Sequence, residues 1–269
     1  MAADRLEAIL ETTRARVAAL RSHARALERQ AADAPAPQPF DRATAGPNVG
    51  VIAEVKRRSP SAGAIREDLN PVEHARAYAQ GGAVAISVLT DEPHFGGSLD
   101  DLARVAAAVA VPVLRKDFIL DELQLYEARA AGASAILLIA RALTPSRVRA
   151  LAAAARAQGL GVLVEVHTDA ELAVAVAAQP TAVGVNSRDL ATFAVDLARA
   201  ERLVAQVPAG LPAIAESGIA TRADVERMAA AGADLVLVGT SVAQTAEPAA
   251  AVRALTGVRR VGRERGRSP

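Results

Sequence analysis

Several charged side chains stand at the ends of short apolar runs, where burial makes a charge costly. Val51-Ile52-Ala53-Glu54-Val55-Lys56 carries Glu54 and Lys56, Val113-Leu114-Arg115-Lys116-Asp117 carries Lys116, and Leu163-Val164-Glu165-Val166-His167 carries Glu165. Side chains alternate along a strand, so Ile52, Glu54 and Lys56 share a face, as do Leu114 with Lys116 and Leu163 with Glu165. If that face lines the inside of a closed sheet, ammonium and carboxylate groups crowd its carboxyl edge. One reading is a set of buried ion pairs tying strands together, but such pairs contribute weakly to stability and are costly to desolvate. Acids and bases pressed together in a partly dry mouth suit proton transfer. Catalysis is the better reading.

A second constellation lies further on. Ala215-Glu216-Ser217-Gly218-Ile219 and Val238-Gly239-Thr240-Ser241 place glycine and hydroxyl residues where a strand turns into a helix. Either alone is an ordinary turn capped by Ser or Thr. Together, at the seventh and eighth strands of a repeating unit, Ser217, Gly218, Gly239 and Thr240 have the chemistry of a phosphate site built from backbone N–H groups and a helix dipole. After the sixth strand, Asn186 offers neutral hydrogen bonds. Arg188 offers a bidentate fork for a carboxylate, or else a surface salt bridge. His94 and Phe95 read as pocket wall. Glu165 and His167 could share a metal, but the chain has 4 histidines and none follows at ligand spacing, so no metal site is expected.

The elements that must position these groups follow from the apolar runs. Short strands are expected near Val49–Val55, Ala83–Leu89, Val111–Leu114, Ala135–Ile139, Gly161–Val166, Ala182–Val185, Ala213–Glu216 and Leu235–Val238, each followed by an alanine-rich helical stretch. Gly82-Ala83, Gly132-Ala133 and Gly232-Ala233 close helices ahead of the next strand. Eight such units describe a (β/α)8 TIM barrel. A doubly wound sheet is the alternative, but no G-x-G-x-x-G follows the first strand. Before the barrel, Leu6, Ile9, Leu10, Val17, Leu20 and Leu27 predict one extra amphipathic helix over Asp4–Arg29, ended by the proline-rich linker Ala34–Pro39. The expected organisation is helix and linker over 1–45, barrel over 46–258, and a basic, disordered and solvated tail over 259–269.

Composition narrows the function. With 31 basic and 30 acidic residues the net charge is +1, so no global field favours nucleic acid or an anionic membrane. Aromatics at 2% leave few stacking platforms for single strands. No run reaches the roughly 20 apolar residues of a membrane span. The absence of cysteine excludes disulfides, thiolate metal sites and cysteine nucleophiles, and suits a cytoplasmic protein.

In order along the chain, A-E-V-K-R-R-S-P-S at Ala53–Ser61, S-V-L-T-D at Ser87–Asp91, F-G-G-S at Phe95–Ser98, V-L-R-K-D-F-I at Val113–Ile119 and Q-L-Y-E-A-R at Gln124–Arg129 are followed by four more motifs. These are L-V-E-V-H at Leu163–His167, G-V-N-S-R-D-L at Gly184–Leu190, A-E-S-G-I at Ala215–Ile219 and V-G-T-S at Val238–Ser241. The set resembles the indole-3-glycerol phosphate synthase family of tryptophan biosynthesis, and the extra amino-terminal helix fits it. The resemblance implies a carboxy-lyase that closes the pyrrole ring of 1-(2-carboxyphenylamino)-1-deoxyribulose 5-phosphate, releasing carbon dioxide and water without a cofactor. It implies Lys116 as general acid at the ketone, Lys56 near the phosphate and sharing the acid role, and Glu165 as proton acceptor or relay. Glu54 would stabilise the cationic intermediate, while Asn186 and Ser217 orient hydroxyl and amine groups. Ser59, Gly218, Gly239 and Thr240 would hold the phosphate, and Arg188 the anthranilate carboxylate. Pro60, Phe95 and Phe118 would wall in the ring, and Glu216 and Leu237 complete the substrate set. His94 stands where the family often has an aromatic, and Thr240 where serine is usual.

Other readings remain open from sequence. A phosphoribosylanthranilate-type isomerase would want a cysteine–aspartate pair, and the chain has no cysteine. A Schiff-base aldolase would use Lys116 as nucleophile. A non-catalytic barrel binding a phosphorylated metabolite is the third.

Overall fold

The computed structural model describes residues 2–189 and 192–263, with side chains from Arg5 onward. Eight parallel strands close into a barrel: β1 (Gly50–Val55), β2 (Ala85–Leu89), β3 (Val113–Lys116), β4 (Ala135–Ile139), β5 (Gly161–Val166), β6 (Ala182–Asn186), β7 (Ala213–Glu216) and β8 (Leu235–Val238). Each pairs with its chain neighbours, and β1 pairs with β8 to complete the ring. The expected (β/α)8 barrel is the fold. β3 begins later than the apolar run suggests because Pro112 has no N–H for the ladder, and β3 extends through Lys116, so the lysine is itself a strand residue.

Strand alternation sorts the side chains. Val51, Ala53, Val55, Ile86, Val88, Ile136, Leu138, Val162 and Val164 point outward into the layer beneath the helices. Ile52, Ala85, Leu114, Ala135, Leu137, Leu163, Ala182, Ile214, Leu235 and Leu237 fill the barrel interior. Phe40, in a 3-10 turn over Phe40–Thr44, closes the amino end: its Cβ lies 2.7 Å from where a side chain on Gly161 would begin. With the amino end plugged and the middle filled, the free space is at the carboxyl end. At the Gly-Ala steps glycine takes a left-handed φ, 98° at Gly82 and 95° at Gly232, which turns each helix into the next strand.

The amino-terminal segment is not one helix. α1 (Ala2–Leu20) ends in a 3-10 turn over Arg21–His23, and α2 (Ala24–Asp33) starts afresh. Ser22 Oγ donates back to Ala19 O at 3.0 Å, and His23 leaves helical geometry at φ −110°, ψ 6°. A hydroxyl competing for helix carbonyls bends the chain there. α2 packs on α6 (Glu122–Ala130), and Arg129 donates to Pro35 O and Ala34 O at 2.6 and 2.9 Å. α1 instead runs across the carboxyl end of the barrel.

The first part of the basic tail is docked rather than solvated. Arg260 Nη2 donates to Thr44 O at 2.7 Å and Arg260 Nε to Asn48 O at 2.9 Å, and Arg263 Nη2 binds Asp234 Oδ2 at 2.8 Å. These arginines satisfy carbonyls at the amino end of the barrel. The rest of the expected tail, 264–269, lies outside the described residues. Among the described residues no helix is long and apolar enough to cross a membrane.

Candidate active site

The carboxyl end of the barrel opens into a cavity of about 570 Å³. Except for His94, every residue picked from the sequence for catalysis or for the pocket lines it, from Glu54 and Lys56 on and after β1 to Gly239 and Thr240 after β8. Alternation explains the convergence. Glu54, Lys116, Glu165, Asn186 and Glu216 each sit two residues beyond, or two pairs beyond, an inward apolar residue of their own strand.

Lys116 is the hub of the charged layer. Its Nζ lies 3.5 Å from Glu165 Oε2, 3.6 Å from Glu216 Oε2 and 4.0 Å from Glu54 Oε2. Lys56 Nζ sits 2.8 Å from the other Glu54 oxygen, Oε1. Burial works against the Lys116 ammonium, but Glu165, Glu216 and Glu54 outweigh it and hold the group charged. Burial likewise opposes ionisation of Glu54 and Glu165, and is overcome by Lys56 and Lys116 for the first and by Lys116 with His167 for the second. Both stay below the ordinary carboxyl range. Glu216 is different. Burial, with Glu165 and Glu54 adding to it against the pull of Lys116, pushes it up to about 8. At neutral pH it therefore carries a proton, and the two remaining carboxylates, Glu54 and Glu165, match the charges of Lys56 and Lys116.

Close approach of backbone makes room for this layer. A Cβ on Gly184 would lie 2.0 Å from Glu216 Oε1, so only glycine on β6 leaves space for the carboxyl. A Cβ on Gly239 would lie 2.5 Å from Glu54 Oε1 and 2.9 Å from Lys56 Nζ. Gly239 thus lets the turn after β8 press against the Glu54–Lys56 pair.

One rim of the cavity suits an anion. Ser217 and Gly218 both take left-handed φ, 66° and 72°. For serine that conformation is strained, and such strain clusters at functional turns. The short α11 (Thr240–Ala243) begins at the adjacent turn, so the first-turn N–H groups of Thr240 and Ser241 have no partner within the helix. Ser59, after the neighbouring strand β1, sits in a small hairpin formed by Arg58–Ser59 and Gly63–Ala64. Its Oγ accepts from Ala62 N at 3.1 Å.

The rest of the lining includes aromatic rings and two guanidiniums, those of Arg5 and Arg188. Phe95 and Phe118 rings lie 6.2 Å apart and tilted by 38°. Arg188 is held by its own loop: its N–H donates to Asn186 Oδ1 at 3.0 Å and its Nη1 to Phe193 O at 3.0 Å. It is a pocket residue whose fork is turned inward along the loop, not a surface salt bridge. His94 does not line the cavity as expected. Its Nε2 lies 3.0 Å from Thr12 Oγ1, tying the loop after β2 to α1.

Sequence reasoning gave several contributing residues no role in the site. Arg5, Leu6 and Ile9 of α1 line the cavity, and Arg5 lies 5.2 Å from the Phe193 ring centroid. Their i, i+1, i+4 spacing marked a buried face but not what it covers. Gly184 looked like one more strand glycine, and only the position of Glu216 shows its use. Asp117, next to Lys116, was read as part of a motif without a role, yet it is buried and pairs with Arg16 of α1 at 2.8 Å.

Comparison with known proteins bears on these residues. The family model described as indole-3-glycerol phosphate synthase matches residues 6–255. The chain is 47% identical over 249 residues to an indole-3-glycerol phosphate synthase of Mycobacterium avium, covering 92% of each chain. It is 46% identical over 252 residues to indole-3-glycerol phosphate synthase 2 of Streptomyces coelicolor, covering 94% of this chain and 97% of the relative. Among solved structures, thiamine phosphate pyrophosphorylase from Pyrococcus furiosus superposes with a TM-score of 0.59 at 16% identity, over 80% of this chain and 95% of that one. That last likeness reports the barrel fold alone. A family match across nearly the whole barrel, on a chain whose charged layer and anion rim converge in one cavity, places this protein in the indole-3-glycerol phosphate synthase family.

Proposed function

We propose that the chain carries out its family's ring closure, converting 1-(2-carboxyphenylamino)-1-deoxyribulose 5-phosphate to indole-3-glycerol phosphate with loss of carbon dioxide and water. The observation that carries the residue roles is the Lys116 ammonium, held charged within 4.0 Å of Glu54, Glu165 and Glu216 at a cavity lined by glycine and hydroxyl turns and by Arg188. The phosphate is held by the turns at Gly218 and Gly239–Thr240 with Ser59, and Lys56 lies close by. Arg188 takes the carboxylate, and Phe95, Phe118 and Pro60 enclose the ring, with Leu237 beneath.

In this reading the ring carbon bearing the carboxylate attacks the ketone carbon. Lys116 protonates the ketone oxygen as the bond forms, so charge does not build on that oxygen in a water-poor site. Glu54 faces the resulting cation. Carbon dioxide leaves with the bonding pair returning to the iminium, which serves as the electron sink. Loss of the hydroxyl as water then needs an acid and a base: Lys56 shares the acid role and Glu165 accepts the proton that restores aromaticity. Asn186 and Ser217 orient the amine and hydroxyls. Glu216, protonated at neutral pH, can donate a hydrogen bond where a carboxylate could only accept. The substrate is a phosphorylated small molecule, and we place the reaction in the cytoplasm, a reading supported by the absence of cysteine.

The test is turnover of the ketose substrate followed by the appearance of indole fluorescence. Its appearance is expected, and a folded protein that leaves the substrate intact overturns the assignment. Inorganic phosphate should also compete with substrate and raise the melting temperature by mass action, and Ser59→Ala should weaken both effects. Protection unchanged in that variant would remove Ser59 from the phosphate site.

A further inference from the structure

His167 follows β5 by one residue, on the same side of the strand as Glu165, and is buried at 1% exposure. It does not line the cavity, so substrate does not reach it. Neither of its ring nitrogens has a hydrogen-bond partner within normal distance. Each nevertheless faces a carboxylate. Nε2 lies 3.6 Å from Glu165 Oε1, and Nδ1 lies 3.4 Å from Glu171 Oε2. Glu171 is itself fixed, accepting the His167 backbone N–H at 2.7 Å and Arg141 Nε at 3.1 Å. Burial raises Glu171, but His167 and Arg141 bring it down to about 2, so it is a permanent anion.

Packing alone does not account for this imidazole. An apolar side chain would fill the space without burying two nitrogens that need partners. Whichever nitrogen carries the proton points at a carboxylate, and one of those carboxylates belongs to the charged layer. Glu165 is thereby held from two sides, with Oε1 toward His167 and Oε2 toward Lys116.

We propose that His167 is a positioning residue for Glu165, fixing Oε1 through its Nε2 so that Oε2 stays turned toward Lys116 and the cavity, with Glu171 and Arg141 holding the imidazole from behind. The inference rests on the assignment of Glu165 as proton acceptor. A free carboxyl rotates about its last torsion, which is broad. Anchoring one oxygen selects the rotamer from which the other can take a proton, as an orienting group does for the base in other enzymes.

Other charged and polar groups also face Glu165: Lys116 from β3, Asn186 from β6, Glu216 from β7 and Glu54 from β1. Glu171 from α8 (Asp169–Ala177) and Arg141 from the turn after β4 reach it only through His167. Removing the imidazole leaves the first set in place. Burial then weighs more against the Glu165 carboxylate, which must be ionised to act.

Three substitutions at His167 separate positioning from packing. His167→Leu removes both nitrogens. His167→Asn keeps a donor at the Nδ1 position, toward Glu171, but cannot reach Glu165. His167→Gln keeps a donor at the Nε2 position, toward Glu165. The leucine and asparagine variants should lose roughly tenfold or more in kcat, with KM little changed, and the acid limb of their kcat–pH profile should move to higher pH. The glutamine variant should retain most turnover and a limb near that of the parent. Because asparagine keeps the polar contact behind the ring, it serves even if leucine fails to fold. Parental kcat and an unmoved limb in a folded asparagine or leucine variant overturn the proposal, and so do equal losses in asparagine and glutamine. Glu165→Gln is the separate control. If it retains turnover, the proton-acceptor assignment fails at its source, whereas if only the His167 variants are silent, that assignment stands and the positioning role falls.

Discussion

Arg115 and Lys116 are neighbours in sequence, both buried and both cationic, and strand alternation sends them to opposite sides of the barrel wall. Arg115 points outward among helices. Its guanidinium donates to Thr90 Oγ1 at 3.2 Å, Gln124 O at 2.7 Å, Asp117 Oδ2 at 2.8 Å and Glu127 Oε2 at 3.2 Å. Asp117 in turn accepts from Thr90, Arg16 and the Phe118 N–H, each within 2.8 Å. Lys116 points inward, where its nearest carboxyl oxygen is 3.5 Å away and where both Glu216 oxygens lack a hydrogen-bond partner. One cluster has its donors and acceptors matched. The other keeps charge close to a cavity without matching it. Matched burial holds a fold together, while unmatched burial beside open space is what proton transfer needs.

The largest effect expected from breaking this contrast is on stability, at Arg115. Arg115→Met removes one of the two cations that hold Asp117 and the cation that pairs with Glu127, and leaves both carboxylates buried, which costs about 3–5 kcal/mol. For a chain of this size that is a fall of roughly 6–20 °C in melting temperature. A melting point within a degree or two of the parent would mean that the outward cluster is ornamental.

A smaller effect falls on binding. Arg188→Ala should raise KM roughly ten- to a hundredfold, about 1.5–3 kcal/mol, while the melting curve moves little, since the folded protein loses one hydrogen bond to Phe193 O. An unchanged KM would put the carboxylate elsewhere, with Arg5 of α1 the other arginine that lines the cavity.

The smallest expected effect is in pH dependence, where the two clusters should differ in sign. Burial raises Asp117, but Arg115 and Arg16 outweigh it and leave its pKa depressed. Its contribution is therefore present above the ordinary aspartate value of 3.8 and lost as pH falls through the folded value. Asp117→Asn should be destabilised at neutral pH, and the gap from the parent should narrow in acid. Glu216 is raised from 4.5 to about 8, so the folded state is penalised progressively as pH climbs across that window. Glu216→Gln escapes the penalty. Its melting point should gain on the parent between pH 5 and pH 9, and a constant difference across that range would argue that Glu216 does not hold its proton.

Much of this was legible in the chain because strand alternation is a strict rule. Ile52 with Glu54, Leu114 with Lys116 and Leu163 with Glu165 share the inner face as their spacing requires. The phosphate-type turns were legible for a different reason, since glycine and hydroxyl residues after β7 and β8 have few other uses together. What stayed hidden depends on distance in space rather than along the strand. Arg16 meets Asp117 across 101 residues, and Thr12 meets His94 across 82. Gly184 is needed only because Glu216 of the next strand leans over it. The break at Arg21–His23 turned on whether a serine hydroxyl bonds solvent or its own helix, which apolar periodicity does not encode.

We propose that Lys116, unlike the residue beside it, serves chemistry and not the fold. Lys116→Met keeps most of the aliphatic stem and removes the ammonium. Turnover measured by indole fluorescence beside a melting curve of the same preparation tests the claim in one experiment. The expected result is a loss of roughly 10²–10⁴-fold in kcat, with a melting temperature that falls less than that of Arg115→Met. A fall of less than tenfold in kcat, or a melting temperature that drops as far as that of Arg115→Met, would contradict it.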